Sequence, residues 1–78
     1  MRIQFARSAR KHRISKERAL FVIENNLPIV VPATASRDEQ LHWIGMDQNG
    51  VELEIAAVEK PDAFLVIHVM PTRFRRHE

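Results

Sequence analysis

Met1, Ile3 and Phe5 alternate with Arg2 and Gln4, a two-residue period that predicts a strand with one buried face. The period then changes. Ser8 is placed to cap a short helix over Ala9 to Arg13. Ser15 is placed to cap a second helix running to about Asn25, with Glu17 in a first turn where a carboxylate complements the helix dipole. Ala19, Leu20, Ile23 and Leu27 recur at helical spacing, and Phe21 and Val22 broaden the apolar face. Asn25 and Asn26 followed by Leu27 and Pro28 end this helix, because Asn tolerates a left-handed cap and proline cannot continue the turn.

From Pro28 the pattern is that of a sheet. Pro28 to Pro32 is β-rich with proline at both ends, which predicts an edge strand or an extended connection. Ala33 to Glu39 is small and polar, a loop. Gln40 to Met46 alternates, with Leu41 and Trp43 on one side and His42, Ile44 and Met46 on the other. Trp43 reads as core, with an exposed ring that stacks a base as the rival reading. Asp47-Gln48-Asn49-Gly50 supplies a hairpin turn, and Val51 to Val58 follows with Val51, Leu53, Ile55 and Ala57 on one face and Glu52, Glu54 and Ala56 on the other. The two glutamates make that second face wet, so helices are expected to cover one side of the sheet only. Lys60, Pro61 and Asp62 turn the chain, and Ala63 to Met70 is apolar except at His68, the pattern of a central strand buried on both faces, stopped by Pro71. The expected fold is α+β with two layers: an N-terminal strand and two helices packed on one face of a small antiparallel β-meander sheet. One domain over residues 1–72 and a basic tail over residues 73–78 complete the outline.

Composition narrows the function classes. A chain of 78 residues supports one small core, and with no cysteine it has neither a disulfide nor a Cys-based zinc site to reinforce it. No signal-peptide pattern follows the early arginine, and no stretch approaches the roughly 18 apolar residues of a membrane span, so a cytoplasmic protein without membrane contact is expected. The net charge of +2 conceals a partition. Arg2, Arg7, Arg10, Lys11, Arg13, Lys16 and Arg18 face only Glu17 within residues 1–18, a balance of +6. Between residues 19 and 72, Arg37 and Lys60 meet eight carboxylates, a balance of −6, and the tail adds Arg73, Arg75 and Arg76 against Glu78. Clustered cations at both chain ends attract polyanions, while the acidic middle repels them.

The basic strand, the run SARKHRIS, the capped amphipathic helix and the meander together resemble the small toxins of bacterial toxin-antitoxin pairs in the RelE/ParE superfamily, the BrnT-like branch above all. There a Lys-His pair followed by a short x-Ile-Ser opens the second helix, and Lys11, His12, Arg13, Ile14 and Ser15 stand in that arrangement. The resemblance implies a ribonuclease that cleaves messenger RNA and is held inactive by an antitoxin partner.

RNA cleavage through the 2′-hydroxyl needs a base for that proton, cations for the phosphorane charge and an acid for the leaving oxygen, and it needs no metal or other cofactor. Histidine suits either proton role, and arginine forks two hydrogen bonds to phosphate. The catalytic candidates are therefore His12, Lys11, Arg73 and His68, and the RNA-binding candidates are Arg7, Arg10, Arg13, Lys16, Arg75 and Arg76. Each has a plainer rival: a solvated helix face for residues 8–15, a hydrogen-bonded structural histidine at His68, a frayed soluble end for the tail. The sign purity of SARKHRIS argues against the first, since a solvated face mixes Glu with Lys. His12, His42, His68 and His77 lack metal-ligand spacing. Two other function classes stand beside the toxin: a non-catalytic RNA- or DNA-binding module, and a small regulatory subunit whose apolar edge near Pro28 to Pro32 is completed by a partner chain or by a second copy in a homodimer.

Overall fold

A computed structural model describes residues 2–77 of the chain, with the side chains at 76 and 77 outside that description. Met1, the first residue of the expected alternation, also lies outside the described residues. The strands are β1 (Arg2–Phe5), β2 (Ile29–Val31), β3 (Gln40–Met46), β4 (Glu52–Lys60) and β5 (Ala63–Pro71), and the helix α1 spans Lys16–Asn25. Two 3-10 turns, Arg7–Arg10 and Thr72–His77, complete the elements. All five strands form one sheet in the order β1-β5-β4-β3-β2.

This corrects the expected fold in two respects. The sheet is mixed, not an antiparallel meander: β2 to β5 alternate in direction, but β1 joins the free edge of β5 in parallel, pairing Ile3 with Phe64 and Phe5 with Val66. That register turns Ile3 and Phe5 to the side where α1 lies and adds them to the core. The N-terminal strand is thus part of the sheet and not of a layer upon it. The second correction concerns the helices, of which there is one. Ser8 caps nothing; its hydroxyl donates to the Ile67 carbonyl at 2.7 Å, and the chain around it forms only the Arg7–Arg10 turn. Four cations within seven residues, with no acid among them, oppose a longer helix, and Arg13 ends the segment in the left-handed region at φ 59°.

α1 begins as its signals predict but ends differently: Asn26 is extended at φ −140°, not left-handed, and Leu27 lies beyond the helix, exposed. Ser15 Oγ accepts from the Arg18 amide, and Asn26 Nδ2 returns to the Val22 carbonyl at 2.9 Å. The helix buries Ala19 and Val22 against Trp43 of β3, Leu53, Ile55 and Ala57 of β4, and Val66 and Val69 of β5. Trp43 is core. β2 is the second sheet edge, bracketed by its prolines, and the β3–β4 hairpin turns through Gly50 at φ 78°.

The Asn26 cap relies on a close approach: a Cβ at Gly45 would lie 2.2 Å from Asn26 Nδ2 and 2.6 Å from its Cγ. The whole amide would have to leave Val22. Gly45→Ala is therefore expected to destabilise the protein by about 1–2 kcal/mol, the scale of one lost partly buried hydrogen bond, as measured by urea unfolding.

One irregularity positions the site. Ala57 faces Val66, but Ala56 faces His68, so β5 carries an extra residue at Ile67. The Ala6 amide donates to Val66 O at 2.8 Å, and Ser8 takes the Ile67 carbonyl. Before this bulge Phe64 and Val66 face α1; after it Val69 does, and His68 faces the opposite, open side.

Candidate nucleic-acid interface

On that open side the two chain ends meet. Past the Arg7–Arg10 turn, His12 is half-buried with its ring edge-on to His68, centroids 6.3 Å apart. From the other end, the Thr72–His77 turn folds back over β4. Thr72 Oγ1 donates to Glu52 Oε1 at 2.6 Å, and Phe74 meets the His12 ring at 5.6 Å. His68 Nε2 lies 3.0 Å from Glu54 Oε2, while Arg75 Nη2 lies 2.6 Å from Glu54 Oε1. The Arg75 contact has the distance of an ion pair but not the angle of a hydrogen bond, so Oε1 is buried without a hydrogen-bond partner. His42 lines the same small cleft with its Nε2 on Gln40 Oε1 at 2.8 Å. Burial holds its pKa below the ordinary 6.5, with the neighbouring His68, Arg37 and Arg75 pushing the same way and Glu54 opposing.

Of the catalytic candidates, His12 and His68 are brought together. Lys11 is exposed beside His12 in the chain, and the Arg73 guanidinium stands 5.5 Å from the centroid of the Phe74 ring that touches His12. Of the RNA-binding candidates, Arg7, Arg10 and Arg13 are exposed around the same turn. Lys16 is placed elsewhere, its ammonium 5.8 Å from the Phe5 ring centroid. Arg75 is engaged by Glu54, and the Arg76 side chain lies outside the described residues. Among the described residues the ion pairs are Arg2 with Asp62, Arg18 with Asp47, His68 with Glu54 and Arg75 with Glu54. Arg7, Arg10, Lys11, Arg13 and Arg73 thus present charge that no described carboxylate neutralises within 4.0 Å.

One residue of the candidate site escapes a reading of the sequence. Glu54 reads there as a wet-face carboxylate like Glu52, yet only 14% of its side chain is exposed. The signal that would reveal Glu54 is the tail turn lying over it, with Arg75 against its carboxylate, which no local pattern in β4 encodes. Phe74, an aromatic interleaved with Arg73, Arg75 and Arg76, reads either as a ring for stacking a base or as one that docks back and brings the arginines toward the first basic run, and its ring meets that of His12.

A larger hollow lies elsewhere, an open groove of about 580 Å³ bounded by Asp38, Glu39, Glu59, Lys60, Val30 and Leu41. Its three carboxylates outnumber its one cation, Lys60, and repel phosphate, so the histidine cleft is the better candidate despite its smaller size. No group of three or more His, Asp or Glu among the described residues is gathered as metal ligands, and no helix among them is long and apolar enough to cross a membrane. No protein-family model matches the chain, and neither a curated protein nor a solved structure matches it.

Proposed function

We propose that the chain is a metal-independent endoribonuclease of the toxin kind, acting on messenger RNA and neutralised by an antitoxin. The observation that carries this reading is the meeting of His12 and His68, residues from opposite ends of the chain, at a centroid separation of 6.3 Å, with exposed Lys11 and Arg13 flanking His12 in the chain. Two imidazoles at that spacing can serve one phosphodiester, one accepting the 2′-hydroxyl proton and the other protonating the departing 5′-oxygen. Arg7, Arg10, Lys11 and Arg13 would bind the flanking phosphates, and Arg73 the charge that grows on the phosphorane. Phe74, 41% exposed, offers an aromatic surface to a neighbouring base.

The antitoxin has a surface of its own to use. Leu27, Ile29 and Val30 at the β2 edge and Ile44 and Met46 on β3 are exposed apolar residues, and Ile29, Ile44 and Met46 share the open face of the sheet with the histidines. Pro28 and Pro32 remove amide donors at both ends of β2, so side-chain packing rather than strand addition would hold a partner there.

Incubating the purified protein with messenger RNA in excess EDTA, at low and high salt, tests the reading. The expected products carry 2′,3′-cyclic phosphate and 5′-hydroxyl ends, form equally with and without EDTA, and diminish steeply as salt rises. Salt-sensitive binding without cutting would instead assign the same face to a non-catalytic nucleic-acid module.

A further inference from the structure

We propose that Glu54 is the positioning residue of this site and that it makes His68 the base and His12 the acid. This rests on the ribonuclease reading above. Glu54 and His68 are diagonal neighbours on the open face, because Ala56 stands opposite His68 across the β4–β5 ladder. A carboxylate only accepts hydrogen bonds, so the 3.0 Å contact between Glu54 Oε2 and His68 Nε2 requires the hydrogen on Nε2. The neutral ring then has its lone pair on Nδ1, the form of a base. Arg75 Nη2, 2.6 Å from the other oxygen, holds the carboxylate from its far side and limits its swing away from His68.

His12 has no such partner among the described residues. Its contacts are ring edges, His68 at 6.3 Å and Phe74 at 5.6 Å, which orient the plane without claiming either nitrogen. The step balances as follows: His68 Nδ1 takes the 2′-hydroxyl proton as the 2′-oxygen bonds to phosphorus. The bond from phosphorus to the 5′-oxygen breaks, and a His12 imidazolium gives that oxygen its proton. His68 leaves as imidazolium and His12 as neutral imidazole, and proton exchange with water restores both.

Two measurements on the full chain test the assignment. In nitrogen-15 NMR of the labelled protein, with the imidazoles neutral, His68 is expected as the Nε2–H tautomer; a predominant Nδ1–H form would overturn the inference whatever the activity. Glu54→Ala is expected to lower kcat about 10- to 100-fold with KM changed less than about twofold, and Glu54→Gln, which keeps an acceptor oxygen, to recover part of the loss. An unchanged kcat in Glu54→Ala would also overturn it. A wild-type protein that shows the Nε2–H tautomer but never cuts RNA removes the ribonuclease reading, and with it the base and acid roles, while the Glu54–His68 geometry stands.

Discussion

Alanine at His12 or at His68 is expected to lower RNA cleavage by about 10²- to 10⁴-fold, with RNA affinity nearly unchanged. The asymmetry between cutting and binding follows from where the charges are. On the ribonuclease reading the exposed Arg7, Arg10, Lys11, Arg13 and Arg73 would carry the phosphate attraction, and neither histidine would be needed for it. The proton transfers have no substitute nearby, since His42, the third imidazole of the cleft, is held by Gln40 and kept below its ordinary pKa chiefly by burial. If the two histidines act in one step as proposed, the double variant is expected to lose little beyond the worse single variant. Single-turnover cleavage of a labelled RNA measures the first effect and filter binding the second. Full cleavage in both variants would detach the chemistry from this site. Thermal unfolding of each variant controls for lost packing, which matters at His12 because its ring touches Phe74.

The largest effect on stability is expected at Asp47, where alanine should cost about 3 kcal/mol. Asp47 is 4% exposed. Its Oδ1 accepts the amides of Asn49 at 2.8 Å and Val51 at 2.9 Å, closing the β3–β4 hairpin, while Oδ2 meets Arg18 of α1. Removing the carboxylate leaves two amides and a guanidinium, itself 24% exposed, without their acceptor. A domain of this size is stable by only about 4–12 kcal/mol, so the loss is a large share of the total. Urea unfolding of Asp47→Ala against the parent chain measures it, and a change below about 1 kcal/mol would show the bonds are replaced by water at little cost.

The same residue sets the acid limit. Burial pushes the Asp47 carboxyl up, but the Val51 amide, Arg18 and the Asn49 amide together outweigh it and hold the pKa below the ordinary 3.8. Stability from this group is complete above that ordinary value and is lost as pH falls through the lower folded one. His42 adds an earlier decline. Its folded pKa lies below 6.5, so the unfolded chain gains a proton first, and stability falls as pH drops from 6.5 toward the folded value.

Local chemistry was largely legible in the residues, and contacts between distant segments, the parallel place of β1 above all, were not. Ser15, the prolines around β2 and Gly50 act within a few positions of themselves as their types predict, whereas Asn26 closes α1 by its side chain on the Val22 carbonyl with an extended backbone and not by a left-handed one. Ser8 is the instructive failure: the same hydroxyl that caps helices elsewhere finds the Ile67 carbonyl, 59 positions away, a partner that only the folded sheet supplies. Likewise β1 was recognisable as a strand, but its parallel place beside β5 depends on which sheet edge stays free. At the candidate site, histidine and arginine announce their chemistry by type, whereas the shielding of Glu54 arises from a tail turn that packs over it.

The extra residue in β5 decides which face each half of that strand presents. Its nine residues belong to two reading frames. In an unbroken frame with Phe64 and Val66 inside, His68 would be inside too, driven against α1; turning His68 outward would instead strip Phe64 and Val66 from the core. The phase slip at Ile67 lets one short strand satisfy both demands, so that a histidine can stand over the open face while the valines on either side of it stay dry.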